Sequence, residues 1–409
     1  MNIDLRHVFL FTWLSLSLAT GVLAEPWKMH VIDNTSRGAD GVKLADVNGD
    51  HLLDITTGWE EGGQIRLYIQ PARSLVKQPW PAVTVGKVKS PEDAFFADVN
   101  GDGKLDIVSC CEGNQQALFV HLCPFGPAQL LKSSDWETQA IIDSQKKTRW
   151  MFGQAAQFDE DLSWELLCGS KDPHGQIGWY DPKPENPAEA IWHPIGPAGW
   201  IMTLDQVDID LDGDLDIFYS DRKGPRRGCW CRINPGDRTD PANWQEIAIG
   251  GEGKEVMFLT TCDANHDGLI DFVCPVKNGE FEIYWNVPPQ TKTSKTPTFK
   301  TVSLPYPENV GTAKCARLVD VDLDHQLDLI ATCEHAEKKH GVYWLSGFKI
   351  ENSSRHITEP VFHEISGTKQ GIKYDLIEMI DLDADGDLDL LTCEERDNLG
   401  VIWYENPTR

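Results

Sequence analysis

The residues of this chain best suited to chemistry are carboxylates at alternate positions of a nine-residue stretch, as in Asp98-Val99-Asn100-Gly101-Asp102-Gly103-Lys104-Leu105-Asp106. Oxygen ligands at positions 1, 3, 5 and 9, a glycine at 6 and a backbone carbonyl at 7 suit a hard cation, which takes about six to eight oxygens. Such stretches begin at Asp46, Asp98, Gln157, Asp208, Asp263, Asp320 and Asp381, at intervals of about 50–60 residues. A helix-flanked calcium hand is excluded. It needs Glu at position 12, where this chain has Thr57, Ser109, Cys168, Tyr219, Cys274, Ala331 or Thr392. A loop ligated wholly by protein leaves little room for substrate, so a cation here acts as a fastener of the folded state.

The elements that must position these loops are strands. Each loop is preceded by an apolar segment, such as Phe95-Phe96-Ala97, and followed by a β-branched one, such as Asp54-Ile55-Thr56-Thr57. An aromatic segment comes next (Ile177-Gly178-Trp179-Tyr180, Val342-Tyr343-Trp344), then a fourth such as Ile247-Ala248-Ile249. We call these strands A, B, C and D; Gly, Pro and Asn clusters such as Asn234-Pro235-Gly236 mark the turns. The first strand-like segment, Trp27–Ile32, is of D type, whereas the last, ending at Tyr404, is of C type. Pairing the two closes a ring and leaves no long sheet edge open. The expected fold is all-β: one seven-bladed propeller of four-stranded blades over residues 25–409.

The net charge of −27 equals in size the 27 carboxylates inside the seven nonapeptides, so the acidity belongs to the loops. No basic domain exists to neutralise phosphates, which argues against nucleic acid as a partner. Arg6 and His7 precede an apolar run, Val8–Leu18, and Val22-Leu23-Ala24 offers small residues for cleavage. That pattern predicts a signal peptide over 1–24 and a secreted, periplasmic or cell-surface protein, not one inserted in a membrane. Most of the eleven cysteines sit in apolar strands, where a thiol packs as a small hydrophobe. Their odd number leaves at least one unpaired within the chain.

With the loops and their flanking strands in view, the chain resembles the FG-GAP/VCBS repeat family, the calcium-loop propellers also found in integrin α-subunit heads. The resemblance implies structural Ca2+ at up to about six sites. The first three sites would be ligated by Asp46, Asn48, Asp50 and Asp54; by Asp98, Asn100, Asp102 and Asp106; and by Asp208, Asp210, Asp212 and Asp216. The others would use Asp263, Asn265, Asp267 and Asp271; Asp320, Asp322, Asp324 and Asp328; and Asp381, Asp383, Asp385 and Asp389. His51 and His325 replace the glycine in two copies and would weaken them. The third copy departs furthest, with Gln157, Asp159, Asp161, Leu162 and Glu165, and is expected to bind calcium weakly or not at all. Family members carry the loops on one face, which places ligand recognition on the other.

That other face is built from D–A and B–C turns. Position 15 of each repeat, at the start of the B–C turn, reads Glu60, Glu112, Lys171, Arg222, Lys277, Glu334 and Glu395, a polar residue every time. Blades 3–5 supply cations and blades 6, 7, 1 and 2 carboxylates, so a dipolar face able to hold an anionic group is expected. Trp150 and Trp200 lie in neighbouring D–A turns, where a sugar ring could stack on them. His30, His193 and His363 recur in D strands and read as structural.

Two functions fit. The first is a binding module for a glycan or a protein; the sequence sets no oligomeric state. The second is a carbohydrate-active lyase or dehydratase at the central mouth. There Arg222 or Arg226 would neutralise a sugar carboxylate, and His174, His335 or Tyr374 would take the proton. A metal site among Glu334, His335, His340 and Glu395 is a variant of the second. An enzyme should gather a base and a cation in one deep pocket; a binding module needs only a shallow patch.

Overall fold

The computed structural model describes residues 25–159, 161–172, 174–236, 240–288, 296–348 and 360–409. The expected signal peptide lies outside them. Seven antiparallel four-stranded sheets form the blades of a propeller. The Lys28–Asp33 strand pairs with Gly400–Glu405, with His30 opposite Trp403, so the D strand of blade 7 comes from the other end of the chain. Among the described residues the helices are single 3-10 turns such as Arg73–Leu75, and no helix is long and apolar enough to cross a membrane.

Strand B starts at position 9 of each loop: Asp54–Trp59, Asp106–Cys111, Glu165–Lys171, Asp216–Asp221, Asp271–Val276, Asp328–Glu334 and Asp389–Glu394. All seven are buried along their whole length, because each has a strand on either side and a blade against either face. Their apolar runs therefore lack the alternation of a half-exposed strand. Seven apolar clusters fill the gaps between neighbouring blades. The one between blades 6 and 7 extends to the axis through Met151, Phe152, Met202, Met257 and Phe258, which plug the central channel.

In blades 3, 6 and 7 the D-strand histidine stacks on the C-strand tryptophan: His193 on Trp179 at 4.0 Å, His363 on Trp344 at 3.8 Å and His30 on Trp403 at 4.4 Å. These histidines are packing residues, as their recurrence indicates. The eleven cysteines are free thiols; ten are buried and Cys262 is half-buried.

Candidate functional site

In blades 1, 2, 4 and 5 the position 1 carboxylate accepts the N–H groups of positions 5 and 6, as Asp98 does from Asp102 and Gly103 at 3.1 and 2.8 Å, and in blades 6 and 7 it accepts that of position 6. Position 6 has a left-handed backbone, which suits glycine. His51 and His325 adopt it too (φ 68° and 67°), and their N–H groups still reach Asp46 and Asp320, both at 2.9 Å. Position 9 is different. Asp106 is buried and accepts two backbone donors, Val99 N–H at 3.1 Å and Cys123 N–H at 2.7 Å. Asp54, Asp216, Asp271 and Asp389 do the same. Burial pushes these carboxyls up, to about 7 for Asp106, Asp216 and Asp389 and about 6 for Asp54 and Asp271, against the pull of the amides.

These loops fit a hard cation. Carboxylate oxygens of Asp208, Asp210 and Asp216, and of Asp320, Asp322 and Asp328, converge within 4.8 Å of one another. Asp320, Asp381 and Asp383 each bury an Oδ1 that receives no hydrogen bond, although the other oxygen of Asp383 is paired with Lys77. The third loop keeps the position 9 bond, Phe158 N–H to Glu165 at 2.8 Å, while Gln157 takes the place of the position 1 carboxylate.

On the opposite face, six of the seven position 15 side chains line one axial cavity of about 320 Å3: Glu60, Glu112, Lys171, Arg222, Glu334 and Glu395. The seventh, Lys277, stands behind the wall, 3.4 Å from Glu334 and 3.7 Å from Glu255. They converge because strand B lies beside the axial strand A in every blade and ends at the same face of the ring. Trp200 and His335 also line the cavity.

Four lining residues come from a feature that the sequence pattern hides. Glu92, Met151, Met202 and Lys314 each occupy a β-bulge near the start of an A strand, where the register against strand B slips by one residue. A bulge re-aims one side chain; here it is aimed at the axis. Asp40 borders a similar slip in blade 1, and Lys373 precedes the A strand of blade 7.

Most cations in the cavity are matched with a carboxylate, so the charges are not simply divided into two arcs. Lys171 pairs closely with Glu112 and lies 3.8 Å from Glu92. Arg222 Nε donates to Glu255 at 2.9 Å, and its guanidinium reaches Glu334 at 3.9 Å. Lys373 pairs with Glu395 and Lys314 with Asp375. The cations expected to stand free in blades 3–5, Lys171, Arg222 and Lys277, are therefore already paired, while Arg396 of blade 7 lines the cavity with no ion pair among the described residues. Glu60 stands between two of the pairs: its oxygen lies within 4.8 Å of those of Asp40 and Glu395, and of those of Glu92 and Glu112. Burial, reinforced by Glu395, raises its carboxyl. Burial also lifts Glu92, to about 8, with Lys171 opposing and Glu112 reinforcing. Asp40 is raised strongly by burial and by Asp375, whose own carboxyl is held low by Lys314 against the effect of burial. Both trios have the spacing for a metal, but Lys171 and Lys373 already compensate Glu112 and Glu395, so we do not assign one there.

Other expected residues are placed elsewhere. Trp150 is fully buried between blades 2 and 3, edge-on to Tyr180 and Trp192, with Nε1 donating to Ser144 O at 3.1 Å. It precedes the bulge residue, so it points into the core and not to the face. Trp200 does line the cavity, but Lys171 and Lys223 cover its ring at 4.3 Å each and Arg222 at 5.0 Å, which removes it as a free stacking platform. Tyr374 is buried, its hydroxyl 3.2 Å from that of Tyr404, and burial pushes it up to about 12, so it is no base for the cavity. His174 is exposed outside the cavity lining. Arg226 pairs with Glu246 beside a separate small cavity. His340 faces Glu364, 3.5 Å away, which separates it from Glu334, His335 and Glu395.

Comparison with known proteins agrees with this architecture. Residues 46–109, which span the first two loops, match the FG-GAP-like repeat, so the chain carries a repeat of that type. No curated protein matches the sequence. Among solved structures, the β-propeller domain of Myceliophteria thermophila Cps50 (Swd1) aligns at TM-score 0.51 with 10% identity, over 92% of this chain and 100% of that one. BBS1N, crystallised in complex with ARL6DN, aligns at TM-score 0.50 with 11% identity, over 92% and 96%. At such identity the likeness is one of fold alone.

Proposed function

We propose that the protein is an exported, calcium-stabilised propeller that binds the end of a glycan in its axial cavity, on the face opposite the acidic loops. The observation that supports this most is the convergence of six position 15 side chains, with the bulge residues Glu92 and Lys314, on one cavity of about 320 Å3. That volume is at the small end of ligand sites, which suits one or two sugar rings. Alternating carboxylates and ammonium groups offer acceptors and donors to hydroxyls, and their internal pairing favours an uncharged ligand over an acidic one. Glu60, lying between compensated pairs, is the acceptor most available to a ligand. A glycan array followed by calorimetry on the hits tests this: binding should occur and Glu60→Gln should weaken it about tenfold. Hits that bind Glu60→Gln as tightly as the wild type would remove the axial assignment.

One observation favours catalysis as a second reading. The cavity holds a carboxyl that keeps its proton to about pH 8, Glu92, next to an ionised one, Glu112, beside Lys171. An acid and a base poised apart by their surroundings can transform a sugar. In this reading Glu92 and Glu112 take the roles expected of His174 and Tyr374, which are not among the lining residues, while His335 still borders the cavity. Any bound oligosaccharide should then yield a new reducing end or an unsaturated product; a ligand recovered intact after long incubation sinks the reading.

A further inference from the structure

The third loop has Gln157 in place of the position 1 carboxylate, its Asp159 and Asp161 converge with Asp181 instead, and its position 8 has changed as well. The other loops carry Leu53, Leu105, Leu215, Ile270, Leu327 and Leu388 there; the third carries Trp164. Trp164 is 37% exposed and borders a cavity of about 370 Å3 on the loop side of the axis. Phe95, Phe96 and Leu105 give this cavity apolar wall, while Lys43, Gln154, Asp205 and Glu378 give it polar groups. Apolar wall interleaved with polar groups suits a sugar ring, which has apolar faces and hydroxyl-bearing edges.

The backbone that carries Trp164 is held by the neighbouring loop. Its main-chain N–H donates to Asp98 O at 2.8 Å, and Leu162 lies so close over Gly101 that a Cβ there would stand 2.8 Å from Leu162 Cβ. A loop fixed before the ligand arrives loses little freedom on binding. The charges around it balance. Asp205 and Glu378 face Lys43, and Arg317 donates to Glu378 at 2.9 Å, so an ionic ligand would leave a wall charge uncompensated.

We propose that this cavity is a second carbohydrate subsite, in which Trp164 stacks on an uncharged sugar ring and Gln154, Asp205 and Lys43 bond its hydroxyls. It lies on the opposite side of the Phe152 and Met202 plug from the axial pocket and does not depend on that pocket having a ligand.

Saturation-transfer NMR with cellotetraose, maltotetraose and mannotetraose as probes tests the subsite on the full chain. At least one probe should bind the wild type. Trp164→Leu, which restores the residue used in other blades, should keep the melting temperature and weaken that probe about tenfold or more. Trp164→Tyr should recover part of the loss, and the same loss should appear when Trp164→Leu is made in a Glu60→Gln background, which separates this subsite from the axial pocket. No signal from any of the three probes, or equal affinity in Trp164→Leu and wild type, overturns the proposal. Loss in Glu60→Gln with Trp164→Leu unaffected overturns it too, while supporting the axial pocket.

Discussion

On the loop face, buried carboxylates such as Asp106 and Asp389 are held by backbone N–H groups. At the axial pocket, Glu112, Asp375 and Glu395 are held by lysine ammonium groups. Both devices keep carboxylates out of water, but they leave different surfaces behind. Amides supply only partial charges, so the loops remain strongly negative and gain from an added cation. Lysines cancel much of the charge at the pocket and leave directional donors and acceptors there. One ring thus carries a face of carboxylates held by amides and a face of carboxylates paired with lysines.

Removing divalent cations should break this contrast with the largest effect. Each loop saturated at a hundred times its dissociation constant would contribute about 2.7 kcal/mol. A chelator should therefore lower the melting temperature markedly and added calcium should restore it; an unchanged melting curve would sink the ligand assignments. Next, Asp106→Ala strands two buried N–H groups and should cost about 2–5 kcal/mol in denaturant unfolding, with or without calcium. A cost that vanished in chelator would make Asp106 a metal ligand only.

Glu92 gives an intermediate, pH-dependent effect. Its folded carboxyl titrates at about 8, above the ordinary 4.5, so the native state keeps a proton that the unfolded chain gives up. Stability then falls as pH rises from about 4.5 to about 8. Glu92→Gln should flatten that slope and melt higher than wild type at pH 9; parallel profiles would show that Lys171 fully compensates the charge. The smallest effect belongs to the third loop. Asp159→Ala lies on an exposed turn without the position 1 carboxylate, and should change stability by no more than about 0.5 kcal/mol and leave the response to chelator intact.

Much of this was legible in the residues. Ring closure followed from a D-type strand at Trp27 and a C-type strand at Tyr404, because strand type survives as composition. Position 15 was legible as seven polar residues in register, and six of them do meet at the axis. The pocket's remaining charges were not legible. Glu92 and Lys314 sit in bulges, where the extra residue breaks the period of two that tells inside from outside. The same break misled the reading of Trp150, a residue of the inter-blade core beside a bulge. Trp200 was placed correctly, yet its cations come from positions distant in sequence, so the occupation of its ring had no local signal. Position 9 looked like one ligand among four; its second role depends on an amide beyond strand C, as Cys123 is for Asp106.

The pairing of Lys28–Asp33 with Gly400–Glu405 sets the order in which the molecule can be completed. Six blades draw all their strands from neighbouring sequence and can assemble as the chain emerges. The seventh waits for residues more than three hundred positions away, a closure that is entropically slow though only modestly more costly than a shorter one. Until it forms, blades 1 and 7 expose the flanks that become the Trp59, Tyr68 and Trp403 cluster. The ring is therefore latched last, and a chain interrupted before Glu378 would be an open arc with an apolar end and without the wall that Glu395 completes.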